Sequence, residues 1–337
     1  MSAISRAALF LLACFVLIPL DAAAWDRGRV ERFASFPPGS FNPEGITADR
    51  HGDIYATGFN PTGAGKGQLS VFGRDGRLKR QVAVDSSSAL LGLAFDSKGE
   101  LLVIDIGAGV VRRVDPYTGA SSIFMTVTGS PGLNALTFDR AGNVYVSDSF
   151  QGIIWRTGRN GGAATPWKTD PLLATQGFPP FGANGLQFNS DESALFVANT
   201  GDDTVIKIAS TAGLAGKAEV FTESINGADG LMLDEDDNVW VCANQADEIV
   251  VTDKTGKAIA KLGDFDGVRD GSPVGLLFPA SLVRHGDWLY ITNLSLDLRA
   301  VVPTREQSVD SQWAAKVKTH TISRIRFRIP GQDRPDD

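Results

Sequence analysis

From residue 42 onward the chain alternates short apolar stretches with polar turns, and the alternation repeats. The clearest unit reads Gly45-Ile46-Thr47-Ala48-Asp49-Arg50-His51-Gly52-Asp53-Ile54-Tyr55. Apolar residues flank a turn with Asp at its head and Gly near its end, which predicts a β-hairpin. The unit returns over Gly92–Leu102, Ala135–Tyr145, Gly185–Phe196 (one residue longer), Gly230–Trp240 and, more weakly, Ala280–Tyr290. Successive starts lie 43 to 50 residues apart, a period of about 47. Third strands are expected at Val110–Val114, Ile153–Arg156, Val205–Ile208 and Ile249–Thr252. Fourth strands follow, as at Ser121–Thr126 and Glu219–Thr222.

Four strands per repeat, six times over, predict an all-β fold: a six-bladed β-propeller with four-stranded blades. No long amphipathic helix interrupts the repeats, which removes α/β alternatives. A ring of blades must close or expose an edge. After the sixth hairpin only one strand-like run remains, Thr321–Phe327, so the last blade is one strand short. The N-terminal segment Val30–Ser35 reads like the fourth strand Glu219–Thr222 and is expected to complete it. Leu294–Lys318 is an insertion, with a short helix expected around Gln307–Val317.

Composition sets the broad class. The chain has 337 residues, 43% hydrophobic and 21% charged, which is globular. A formal net charge of −7 leaves no basic excess for phosphates, so nucleic acid is not an expected partner. Arg6, the apolar run Ala7–Leu20 and the small residues Ala22–Ala24 form a secretory-leader pattern. The expected organisation is a signal peptide over 1–24, the propeller over 25–329 and a disordered tail over 330–337. The mature protein is then exported, periplasmic or secreted, with no membrane span. Lipidation at Cys14 is the alternative, because Leu11-Leu12-Ala13-Cys14 loosely resembles a lipobox. Cleavage leaves one cysteine, Cys242, in an apolar run that reads as a buried structural thiol.

Equivalent positions of a propeller form a ring around one axis. The residue before each repeat start is Glu44, Leu91, Asn134, Asn184, Asp229 or Pro279. Four of these six are oxygen donors, and they begin the innermost strands. Two carboxylates and two amide oxygens converging on one axis suit a hard cation: Ca²⁺, or Mg²⁺ or another divalent ion. No His or Cys stands in the ring, which argues against zinc and copper. Strand-start capping by Asn and Asp is the competing explanation.

The stretches Asn42-Pro43-Glu44-Gly45, Gly132-Leu133-Asn134-Ala135-Leu136, Gly182-Ala183-Asn184-Gly185-Leu186 and Gly227-Ala228-Asp229-Gly230-Leu231 resemble the regucalcin/gluconolactonase (senescence marker protein) family. Paraoxonases and strictosidine-synthase-like proteins are more distant relatives. The resemblance covers roughly Phe41–Asn293. It implies a six-bladed propeller holding a catalytic divalent cation, usually calcium, and a lactone or related ester as substrate. Carried over by position, Glu44, Asn184 and Asp229 are implied metal ligands. Asn134 is implied as a ligand or as a contact to metal-bound water or substrate. Sugar lactonases of the family often carry Arg two residues before the second motif's Asn; here Gly132 stands there. The stretch Gly177-Phe178-Pro179-Pro180-Phe181-Gly182 is expected to bring Phe178 and Phe181 to the substrate, and so to suit a more hydrophobic lactone or ester.

A cation would polarise the carbonyl and stabilise the oxyanion. Asp229 is the candidate general base, with a cation-activated water as alternative. Asp105 and Asp148 end second strands near the same mouth and stand in reserve, with strand-end hydrogen bonding as their competing role. His51 and His285 fall in turns at the far end, and no Gly-x-Ser-x-Gly elbow occurs. Asp234-Glu235-Asp236-Asp237-Asn238 mimics the start of an EF-hand, but Val239 stands where Gly is needed, so a solvated turn is expected. The competing functional class is a non-catalytic propeller that binds a ligand or partner around a structural metal.

Overall fold

The computed structural model describes residues 26–302 and 309–331. The expected leader over 1–24 and residues 332–337 of the expected tail lie outside the described residues. Six four-stranded units surround one axis, with a short extra strand, Gly162–Ala163, added to the second. The innermost strands are Asn42–Ala48, Leu90–Phe95, Leu133–Phe138, Ala183–Phe188, Ala228–Leu233 and Pro279–His285. Each packs against the next, and Pro279–His285 packs against Asn42–Ala48, so the ring is closed. Closure falls in the sixth blade, ordered Glu31–Ser35, Thr321–Arg326, Trp288–Asn293, Pro279–His285 from rim to axis. The N-terminal strand therefore supplies that blade's outer strand.

Turn chemistry explains the repeat. Asp49, Asp96, Asp139 and Asp234 each accept backbone N–H bonds inside their own turns, at 2.8–3.0 Å. An aromatic six residues later donates to the same carboxylate: Tyr55 to Asp49 at 3.2 Å, Tyr145 to Asp139 at 3.1 Å and Trp240 to Asp234 at 3.0 Å. The EF-hand-like acidic run is thus a self-capped turn. Gly52, Gly99 and Gly142 hold φ near +80° in these turns, where a side chain would be strained.

The insertion after Trp288–Asn293 contains the helix Val309–Ala314, inside the span expected for it; residues 307 and 308 lie outside the described set. Trp313 packs edge-on against Phe265 of the small hairpin Phe265–Arg269/Ser272–Gly275. Among the described residues no helix is long and apolar enough to cross a membrane.

Candidate active site

A β-bulge in every inner strand decides which residue faces the axis. Pro43 pairs with Gly58, but Ile46 pairs with Ala56. Leu90, Leu133, Ala183, Ala228 and Pro279 begin the same slip in their own blades. Two residues are left out of the ladder each time, and the bulge re-aims the first of them. These first residues are Glu44, Leu91, Asn134, Asn184, Asp229 and Ala280. The sixth place is therefore Ala280, not Pro279, because Pro279 pairs with Asn293 and Leu282 with Ile291. The sequence pattern slips there for a physical reason. His285 pairs with Trp288, so this hairpin closes through Gly286 and Asp287 and lacks the Asp-headed turn on which the repeats align.

The second bulged residue meets the neighbouring blade. A Cβ on Gly45 would lie 2.4 Å from the Leu91 carbonyl oxygen. On Gly185 it would lie 2.6 Å from that of Asp229, and on Gly230 2.6 Å from that of Ala280. In four blades glycine follows the axial residue because adjacent inner strands approach too closely for a side chain, while Ala135 and Ser281 take that place in the third and sixth. The same contacts independently place Ala280 in the ring.

Glu44, Asn134, Asn184 and Asp229 share one cavity of about 220 Å³, and each is only 4–6% exposed. A second ring stands at the ends of the second strands: Phe59, Ile106, Ser149, Thr200, Asn244 and Leu294. In three consecutive blades it is polar and orients the first ring. Asn134 Nδ2 donates to Ser149 Oγ at 3.3 Å, and Asn184 Nδ2 donates to Thr200 Oγ1 at 2.9 Å. Asn244 Nδ2 donates to Asp229 Oδ2 at 2.8 Å, while Gln245 Nε2 donates to Asn244 Oδ1 at 2.9 Å. The hydroxyls pass the bond to the next blade: Ser149 Oγ to the Ala183 carbonyl at 2.6 Å, Thr200 Oγ1 to that of Ala228 at 2.8 Å. With their amide nitrogens turned to these partners, both axial asparagines keep a carbonyl oxygen available. In the other three blades the second ring is Leu294, Phe59 and Ile106.

The electrostatics are those of an anionic pair without a counter-charge. Glu44 Oε2 and Asp229 Oδ1 are buried and accept no hydrogen bond. Burial pushes the Glu44 carboxyl well above its usual range, and the Asp229 charge raises it further. Burial also raises Asp229, to about 7, against hydrogen bonds from Asn244 and Asn184 that lower it. Two orphaned carboxylate oxygens buried in one cavity are costly unless something binds them. A divalent ion of oxygen preference fits this donor set, two carboxylates with two amide carbonyls. Among the described residues no three His, Cys, Asp or Glu side chains cluster, so half of the donors must be amides.

The model of the SMP-30/gluconolactonase/LRE-like region matches residues 86–263, just over half of the chain. The chain belongs to this family. The matched region contains Asn134, Asn184 and Asp229, while Glu44 precedes it. No curated protein matches the chain. Solved structures share the fold at low identity. A luciferin-regenerating enzyme is 15% identical with a TM-score of 0.65, covering 90% of this chain and 97% of its own. A gluconolactonase from Xanthomonas campestris is 14% identical with a TM-score of 0.61, covering 89% of each chain. Regucalcin from Agrobacterium tumefaciens, described as a calcium-binding protein, is 19% identical with a TM-score of 0.59, covering 87% and 93%.

The remaining candidates in this SMP-30/gluconolactonase-like chain separate cleanly. Phe181 lines the cavity, whereas Phe178 does not and packs against the cluster of Phe278, Leu294 and Leu296. Asp148 is fully buried and accepts from the backbone N–H groups of Gly132, Phe150 and Gln151 at 2.9–3.1 Å and from Trp155 Nε1 at 2.9 Å. Asp105, also fully buried, binds Arg112 Nε at 2.6 Å. Both are strand-end fasteners outside the cavity lining. Cys242 is buried in the core of blades five and six. Sequence reasoning missed Ser149, Thr200, Asn244 and Phe150. A signal existed for the first three: a polar residue 15 or 16 positions after Asn134, Asn184 and Asp229.

Proposed function

We propose that the chain is a divalent-cation-dependent hydrolase of a lactone or related ester, with calcium the ion that best suits its donors. The observation that carries this reading is the pair of orphaned buried oxygens, Glu44 Oε2 and Asp229 Oδ1, beside two amide carbonyls. Family membership and the gluconolactonase and regucalcin likenesses support it.

Glu44, Asn134, Asn184 and Asp229 would hold the ion. When bound, it polarises the substrate carbonyl and stabilises the developing oxyanion. Asp229 is the proton acceptor for the attacking water. One of its oxygens is fixed by Asn244, which leaves the other facing the cavity. Asn134 positions substrate or ligates, its amide locked by Ser149. The apolar second-ring residues and Phe181 exclude bulk water.

The test uses chain stripped of metal, a panel of aliphatic, aromatic and sugar lactones, and calcium, magnesium or chelator. Turnover should require the ion and fall at least a hundredfold in Asp229→Ala, as expected for loss of a general base (~10²–10⁴). A melting temperature that rises with calcium while no lactone or ester turns over would overturn the hydrolase and leave a ligand-binding propeller.

A further inference from the structure

The cavity has two unlike halves. Blades three to five present polar pairs in both rings: Asn134 with Ser149, Asn184 with Thr200, Asp229 with Asn244. Blades six, one and two present Ala280 with Leu294, Glu44 with Phe59, and Leu91 with Ile106. Glu44 is thus the one polar axial residue on the apolar side, and it has no hydrogen-bonding neighbour in the second ring. The insertion after the sixth hairpin extends the apolar wall with Leu296, Leu298 and Val301. Across the opening, Phe150 and Phe181 stack obliquely, ring centroids 5.6 Å apart. Phe150 is 54% exposed, unusual for a large apolar side chain. Its ring fills the space beside Gly132, where an added Cβ would lie 2.4 Å from it. Among the described residues no Lys, Arg or His lines the cavity.

On the hydrolase reading proposed above, this asymmetry fixes how a substrate lies. The reacting carbonyl must meet the oxygens of Glu44, Asn134, Asn184 and Asp229. The rest of the molecule can turn only toward Leu91, Phe59 and the Leu294–Leu298 wall, or toward Phe150. The geometry points to a neutral lactone bearing an apolar alkyl or aryl substituent, not a polyhydroxylated sugar lactone. Hydroxyl groups on the ring would be buried against carbon, without partners. The described lining offers a carboxylate on the substrate no basic side chain to pair with.

Volume sets the size. A cavity of about 150 Å³ accommodates benzene. By proportion, about 220 Å³ accommodates roughly nine non-hydrogen atoms. That is a five-membered lactone ring with its carbonyl and roughly three further carbons. A longer chain leaves through the opening beside Phe150.

The calcium-loaded full chain should be assayed on γ-butyrolactone, then on γ-lactones with one to seven side-chain carbons, and on glucono-δ-lactone. We expect kcat/KM to rise about fourfold per methylene. The rise should continue over roughly three carbons and then flatten, with gluconolactone below every alkyl lactone. Leu296→Ser and Phe59→Ser should reduce the slope. A flat wild-type series, or preference for gluconolactone, overturns the inference. If no lactone is hydrolysed, the hydrolase reading fails, and calorimetric binding of 2-alkylcyclopentanones to the calcium-loaded chain decides this inference. Affinity that grows with chain length supports the apolar half-site; affinity independent of length overturns it.

Discussion

At the scale of single residues, Glu44 and Asp229 combine poor folding energetics with good ligand chemistry. Burial raises both carboxyls, and the Asp229 charge raises Glu44 further. A group whose folded-state pKa lies above its unfolded value stabilises the fold at low pH. That stability is complete below the ordinary carboxylate value and is lost as pH rises through the folded value, near 7 for Asp229. The metal-free chain should therefore gain stability from Glu44→Gln or Asp229→Asn, and the gain should grow between pH 5 and pH 8. Calorimetric melting of wild type and variants across that range checks it. Calcium should reverse the order at pH 8 by stabilising only the wild type, since an ion bound to the native state alone adds about 2.7 kcal/mol at a hundredfold excess over Kd. A pH-independent difference between variant and wild type would sink the assignment of these two groups as a frustrated pair.

At the scale of elements, the inner-strand bulge and the glycine after it do most to build the mouth. Gly230→Ala places a Cβ 2.6 Å from the Ala280 carbonyl, backbone that cannot step aside. It should cost about 1–3 kcal/mol in urea unfolding, as overpacking does. Gly158→Ala meets nothing within 4 Å and serves as the control. Asp148→Ala should likewise lower stability, since it strands five donors, while leaving the kcat of the folded fraction near wild type. A large kcat loss without destabilisation would restore Asp148 as a base. These elements also show what could be read from sequence. The Asp-headed turns and their aromatic partners are local, so the repeat and the six blades were legible. Four polar axial residues were legible because each precedes the small residue that opens the repeat, glycine in three cases and Ala135 in the other. The bulge register was not, because it depends on pairing with the second strand, and in the sixth blade the pattern slipped by one residue. Phe150 and the Leu296–Leu298 wall reach the cavity through loops, whose course no periodicity encodes.

At the scale of the whole molecule, the ring is closed by the strand nearest the N-terminus of the described chain. Glu31–Ser35 pairs with Thr321–Arg326, and Phe33 and Phe36 join a cluster with Ile46, Phe72, Tyr290 and Ile322. That cluster is the seam between blade six and blade one. Thr292 Oγ1 also crosses the seam, donating to the Glu44 carbonyl at 2.6 Å. Glu44 therefore depends on ring closure, whereas Asn184 and Asp229 are braced by their own blades through Thr200 and Asn244. Phe33→Ala should cost about 3–5 kcal/mol, and Ile154→Ala, in the cluster of blades three and four, about 2–5 kcal/mol. Their stability losses are thus comparable, but their effects on the site should differ. At a temperature where both variants remain folded, calorimetry should find calcium affinity reduced in Phe33→Ala and near wild type in Ile154→Ala. The half-buried pair Glu31–Arg324, at 2.8 Å, is backed by the Trp288 ring 4.0 Å from the guanidinium, and Arg324→Gln should cost about 1–2 kcal/mol. Equal affinities in Phe33→Ala and Ile154→Ala would show that the seam does not hold Glu44 in place. Glu44 would then owe its position to its bulge alone, and closure would be a matter of stability without consequence for the site.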